Sequence, residues 1–199
     1  MFIELTEILR CPRDHAESYV VASPIAMDGR RIVRGVVGCP ECGAEFPIVE
    51  GVAYFGPPGR RRAAGVAPGP AYDAAALAAF LHVDGPGGYV ALVGRAARHA
   101  AELGAATPGV HVVAVNPPAG VAPGPMLSVL EAPAGLPIKT AQLRAVTLGA
   151  DCASARWLAE AARALLPGLR LAVEDEGAEV DGVVELARGA GMFVGTRAP

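Results

Sequence analysis

The chain has 199 residues, 52% of them hydrophobic, and a formal net charge of −3. That length suits one large domain or two small ones, and the slightly acidic balance, with a pI near 5.8, excludes bulk charge as a reason to bind nucleic acid or a membrane surface. No stretch of about 18 apolar residues runs free of charge, Pro and Gly, so no membrane-spanning helix is expected; Glu4 and Glu7 and the lack of an early basic residue make the opening a poor secretion signal.

Three parts follow one another: residues 1–55, a run over 56–71 that is half Gly and Pro and reads as a linker, and residues 72–199. In the first part, Phe2, Leu5, Ile8 and Leu9 fall at helical spacing, which predicts a turn or two of helix ended by Pro12. Tyr19–Val21 and Arg31–Val37 look like strands, with Asp28-Gly29 as a hairpin turn between them. Phe46–Tyr54 predicts one more strand pair turning at Glu50-Gly51. In the linker, Arg60, Arg61 and Arg62 could touch phosphate, but a short basic run in a loop reads first as solvated surface, and nucleic acid is not an expected partner.

The third part alternates. Asp73 is placed to cap a helix carrying Leu77, Phe80 and Leu81. Strands are expected at Gly88–Gly94, Val110–Val115, Leu143–Leu148, Leu169–Val173 and Met192–Thr196. Helices are expected at Arg95–Leu103, Ser154–Leu166 and Val180–Gly189. Strands alternating with helices predict an α/β domain of Rossmann type, with a mostly parallel sheet and helices on both faces.

The chemistry concentrates in the first part. A cytoplasmic protein is the expectation, and in that compartment closely spaced cysteines read as metal ligands or redox groups before disulfides. Cys39-Pro40-Glu41-Cys42-Gly43 is a knuckle whose two thiolates can grip one tetrahedral metal, with Gly43 relaxing the turn. Its complement is Cys11, with Asp14 or His15 as the fourth ligand; a carboxylate and an imidazole both bind Zn2+. Four protein ligands leave no open coordination position, so the zinc would be structural. A redox dithiol at Cys39 and Cys42 is disfavoured because such pairs sit between a strand and a helix, and here both neighbours read as strands. Cys152 reads as a core residue, and His82, His99 and His111 as structural or exposed. Asp151, Glu174, Asp175 and Glu176 read as exposed acids at element ends.

Leu5, Ile8-Leu9-Arg10-Cys11-Pro12, Cys39-Pro40-Glu41-Cys42-Gly43 and Phe46-Pro47-Ile48-Val49-Glu50-Gly51-Val52 together resemble a small zinc-ribbon family. That family includes the activator subunit of tRNA, rRNA and release-factor methyltransferases. The resemblance covers about residues 1–55 and implies a zinc-ribbon fold that partners a methyltransferase by strand pairing; Asp14 stands where the first knuckle usually has its second cysteine.

Residues 72–199 resemble a class I, S-adenosylmethionine-dependent methyltransferase domain, most locally in Ala161–Leu171 and in Leu136-Pro137 followed by Leu143–Val146. The resemblance implies a glycine-rich turn after the first strand and an acid after the second. Here Gly94 is followed by Arg95, and Asn116 takes the place of the acid; Arg144 replaces the acid of a later strand. These degenerate positions predict that S-adenosylmethionine is not bound. The expected function is therefore a non-catalytic zinc-ribbon adaptor or structural protein with a pseudo-methyltransferase domain. Its partner would be another protein, a methyltransferase or a larger assembly, and a homo-oligomer is compatible with it. The alternative is a methyltransferase with an atypical cofactor loop. A docking interface between the two parts is expected to involve Val52, Tyr54 or Phe55, within one chain or between chains, strand addition being one mode.

Overall fold

The computed structural model describes residues 1–57 and 69–199. The centre of the Gly/Pro-rich run, with Arg60, Arg61 and Arg62, lies outside the described residues.

The chain opens with a 3-10 helix, Ile3–Glu7, that buries Leu5. Strands β1 (Val21–Asp28) and β2 (Arg31–Gly38) follow. Asp28 pairs with Arg31, so the two turn residues are Gly29 and Arg30, one step later than expected, with Gly29 at φ 55°. Strands β3 (Glu45–Val49) and β4 (Val52–Tyr54) meet at Glu50 and Gly51. Both turn residues are left-handed, φ 50° and 80°, the geometry that matches the twist of a tight hairpin.

Asp73 caps helix α1 (Ala74–Leu81) by accepting the Ala76 N–H at 2.7 Å. Strand β5 (Tyr89–Val93) leads into a 3-10 helix, Gly94–His99, and then helix α2 (Ala100–Ala106). Strand β6 (His111–Val115) is followed by β7 (Leu127–Glu131), which the sequence pattern did not announce. Next come β8 (Leu143–Leu148), helix α3 (Ala155–Ala164), β9 (Leu165–Val173), β10 (Val183–Gly189) and β11 (Met192–Arg197).

Two expectations are corrected here. Residues 183–189 are a strand, not part of a helix. Ala190 and Gly191 are left-handed at φ 52° and 76°, and Gly189 pairs with Met192, so a tight hairpin claims the segment. The β-branched Val183 and Val184 suit that strand better than a helix. Helix α3 stops at Ala164, and Leu165 and Leu166 belong to β9 rather than to the helix.

Among the described residues, the strands form one 11-stranded sheet in the order β1-β2-β3-β4-β7-β6-β5-β8-β9-β11-β10. The stretch from β7 to β9 is parallel, while β11 and β10 run antiparallel at one end. Strands β1 to β4 pair antiparallel in turn, and β4 then adds in parallel to the edge of β7. Val52 pairs with Val129, Ala53 with Leu130 and Tyr54 with Glu131, and the Phe55 N–H donates to the Glu131 carbonyl at 2.7 Å. Strand addition thus joins the two parts within a single chain.

Alternate residues of the central strands feed two cores. Val90, Leu92, Val112 and Ala114 pack with Leu77 and Leu81 of α1 and Leu103 of α2. Ala91, Val93, Val113 and Val115 pack with Leu158 and Ala161 of α3 and with Leu5 and Leu9 from the N-terminal segment. The connections β6–β7, β7–β8 and β9–β10 contain no helix. The second face is therefore short of cover, and the N-terminal segment supplies it. Leu9 bridges Ile138 in the extended β7–β8 connection, the Arg10 N–H donates to the Pro137 carbonyl at 3.0 Å, and the Lys139 N–H donates to the Ile8 carbonyl at 2.8 Å. Among the described residues, no helix is long and apolar enough to cross a membrane.

Candidate metal centre and the carboxyl ends of the sheet

Cys11, His15, Cys39 and Cys42 converge, with one potential ligand atom from each lying within 4.8 Å of the others. Two short loops deliver them. In the first, Arg10 bridges Tyr19 and the Cys11 N–H donates to the Ser18 carbonyl at 3.3 Å, so residues 11–18 form a closed excursion. In the second, the Gly43 N–H donates to the Cys39 carbonyl and the Cys39 N–H to the Ala44 carbonyl, both at 2.9 Å. Gly43, at φ 67°, makes that tight turn without strain. Asp14 is exposed and is not one of the converging residues.

The donor set fits Zn2+. The Cys11 and Cys42 sulfurs are 3.8 Å apart, the edge of a tetrahedron with zinc–sulfur bonds of about 2.3 Å. His15 Nδ1 lies 2.7 Å from the Ala16 carbonyl and Nε2 lies 3.5 Å from the Cys39 sulfur. The carbonyl can only accept, so the neutral ring with its proton on Nδ1 turns the Nε2 lone pair to the cluster, a tautomer that can ligate a metal. Burial pushes the Cys11 thiol up to about 12. At Cys39 burial acts upward too, but the backbone N–H groups of Cys42 and Glu41 outweigh it and bring the thiol down to about 7. Backbone donors aimed at sulfur favour the thiolate that binds metal.

The second region lies where the parallel strands end, the position at which open α/β sheets take their ligands. Gly94 follows β5, Asn116 follows β6, Gly149 follows β8 and Glu174 follows β9. Gly94 is left-handed, φ 62°, and a Cβ there would stand 2.5 Å from Asp151 Oδ1 and 2.8 Å from the Cys152 sulfur. The Arg95 N–H donates to that same Oδ1 at 3.0 Å. The Glu174 side chain is fully buried and accepts from Arg95 Nε at 2.5 Å and Arg98 Nη1 at 2.6 Å. The Tyr72 hydroxyl donates to it as well, and burial followed by Glu174 raises that phenol. Asn116 is pinned at both ends: its amide nitrogen donates to the Ala132 carbonyl at 2.9 Å and its oxygen accepts the Ala132 N–H at 2.7 Å.

Two expectations change on these facts. Glu174 is not an exposed terminal acid but the buried centre of an ion-pair network, and Asp151 holds the turn after β5. Arg144 sits at the start of β8, away from the carboxyl ends, where it donates to the carbonyls of Asp84, Gly85, Pro86 and Gly87. Cys152 is buried under Gly94, apart from the cysteine cluster. Of the histidines, His111 is buried on Ser128, His99 packs on Tyr72 and His82 is exposed. Sequence reasoning missed the Tyr72–Glu174–arginine network; the only signal for it was an acid directly after a β-rich run.

No family model matches the chain, and no curated protein matches it. Among solved structures, it is similar to the antibiotic-resistance methyltransferase Kmr, with 16% identity, a TM-score of 0.44, and coverage of 65% of this chain and 94% of that one. It is also similar to a chain from the complex between the Haloferax volcanii Trm112 methyltransferase activator and a methyltransferase candidate. There the identity is 15% and the TM-score 0.47, over 63% of this chain and 89% of that one. A methyltransferase candidate from Bacillus halodurans C-125 gives 22% identity and a TM-score of 0.40, over 51% of this chain and 49% of that one.

Proposed function

We propose that this chain is a non-catalytic zinc-ribbon protein: residues 1–55 form the ribbon, and residues 72–199 a methyltransferase-like domain that serves as its built-in docking partner. The convergence of Cys11, His15, Cys39 and Cys42 carries the metal half of this reading. These residues would hold Zn2+ as a closed, structural centre, and the metal would supply folding energy rather than chemistry. The second half rests on what fills the carboxyl ends of the sheet. A cofactor cradle there needs backbone that lets a ligand approach and polar groups left free to bind it. Gly94 is instead packed against Asp151 and Cys152, Asn116 spends both ends of its amide on Ala132, and Glu174 is neutralised by two arginines. These residues do not fit S-adenosylmethionine, and no transfer step is assigned to them.

Since β4 is already paired with β7, a separate methyltransferase would not be met through that edge. The outward role is to present a surface to another protein or a larger assembly. Calorimetric titration of S-adenosylmethionine into the full chain tests the reading: no saturable heat is expected. Micromolar binding would instead promote the alternative of a methyltransferase with an atypical cofactor loop.

A further inference from the structure

The four converging ligands all lie within residues 1–55, but two of them are carried by a loop that is bonded to residues 72–199. Cys39 and Cys42 sit in the turn between β2 and β3, wholly within the ribbon sheet. Cys11 and His15 sit in the loop 11–18, and both ends of that loop are tied to the other half. On its entering side, the Arg10 N–H donates to the Pro137 carbonyl, and the Arg10 guanidinium reaches Glu160 of α3 at 3.1 Å. On its leaving side, the Glu17 carboxylate accepts the Thr140 N–H at 3.0 Å and the Thr140 hydroxyl at 2.9 Å. Arg163 of α3 locks the same corner, pairing with Glu160 at 2.8 Å and donating to the Ile138 carbonyl at 2.8 Å. By contrast, the strand pairing that also joins the halves is short, with three residue pairs between β4 and β7.

Resting on the zinc reading above, we infer that the metal at Cys11, His15, Cys39 and Cys42 is a latch between the halves: its occupancy sets how firmly the ribbon sheet is held on the methyltransferase-like domain. One ligand pair is carried by a loop anchored on residues 137–140 and α3, and the other by the ribbon, so a bound ion ties them through four bonds. Removing it leaves the Cys39–Cys42 turn without its tie to the loop 11–18, and the ribbon sheet is then held by the β4–β7 pairing, by the bonds of Met1–Ile3 to Arg30–Ile32 and by the shared core. Linkage makes the coupling reciprocal: whatever loosens the loop from residues 137–140 weakens zinc by the same factor.

The test uses the full chain, zinc-loaded and after removal of the metal by a chelator, with zinc content read by elemental analysis. Amide hydrogen exchange is followed at Arg10, Lys139 and Phe55, whose N–H groups bond across the two halves. On metal removal these amides are expected to exchange at least about tenfold faster, while the central amides of β5 and β6 keep their protection. Faster exchange confined to residues 11–18 and 38–45, with Arg10, Lys139 and Phe55 unchanged, would overturn the latch while leaving the zinc reading intact. A purified chain that neither contains nor takes up zinc would sink both. In the reciprocal arm, Arg10→Ala and Glu17→Gln leave every ligand in place, and circular dichroism confirms their fold. Competition with a chelator should show their zinc affinity reduced by about five- to tenfold, the low end of ordinary coupling between sites. Unchanged affinity in both variants would contradict the latch.

Discussion

The cysteine cluster and the carboxyl ends of the sheet are built from similar materials, yet they are finished differently. At the cluster, three sulfurs and an imidazole nitrogen turn toward one another, with one potential ligand atom from each within 4.8 Å of the others. At the strand ends, Glu174, Arg95, Arg98 and Tyr72 also converge, but as donors and acceptors of matched sign that satisfy each other. Like groups gathered together call for an ion to reconcile them. Unlike groups gathered together have already closed the account, and a ligand would have to break buried ion pairs to enter.

The largest effect that could break this contrast is at the cluster. Cys39→Ser should abolish zinc binding and unfold the ribbon, because a structural zinc supplies an apparent ~10–16 kcal/mol at neutral pH. Cys152→Ser, outside the cluster, should keep its zinc and lose far less thermal stability; equal losses by thermal denaturation would erase the distinction. Next is Glu174→Gln. Leaving Arg95 and Arg98 without their carboxylate should cost about 3 kcal/mol in denaturant unfolding, while S-adenosylmethionine still fails to bind. A gain of binding would mean that the network is a gate rather than a filling. Asn116→Asp is smaller. It restores the acid that the methyltransferase resemblance calls for but removes the donor to the Ala132 carbonyl, an expected loss of about 1–3 kcal/mol without any gain of cofactor binding.

A further expected effect concerns pH. His111 is buried against Ser128, and burial lowers it to about 4 from its ordinary 6.5. The unfolded chain therefore takes up this proton first as pH falls. Stability from a neutral His111 is complete above about 6.5 and declines from there toward 4. His111→Gln should flatten the stability profile across that window and leave zinc content alone. An unchanged slope would show that His111 is not the titrating group.

The readable parts of the sequence were those with local physical causes. Glu50-Gly51 and Asp73 announced a turn and a cap because backbone sign and capping chemistry act over two or three residues. Cys39 and Cys42 were visible because the spacing of a metal knuckle is also local, and Cys11 followed as its complement. The choice between Asp14 and His15 was not: it depends on the imidazole's reach and on the Ala16 carbonyl that orients it. Strand β7 was hidden by Pro123, Pro125 and Pro133 around a short run, and its place is fixed by β6 and β4 on either side. Residues 183–189 carry a spacing that suits a helix, and the tight turn at Ala190-Gly191 with the pairing to β11 decides against it. Glu174 was read as exposed because nothing near it in sequence reveals two arginines arriving from the turn after β5.

The central claim is that Cys11, His15, Cys39 and Cys42 form the one place among the described residues where gathered side chains require an added ion. X-ray absorption at the zinc edge of the purified full chain tests it most directly. The expected spectrum has three sulfurs at about 2.3 Å and one imidazole nitrogen at about 2.0 Å, with no water. A sphere dominated by oxygen, or one with fewer than three sulfurs, would contradict it.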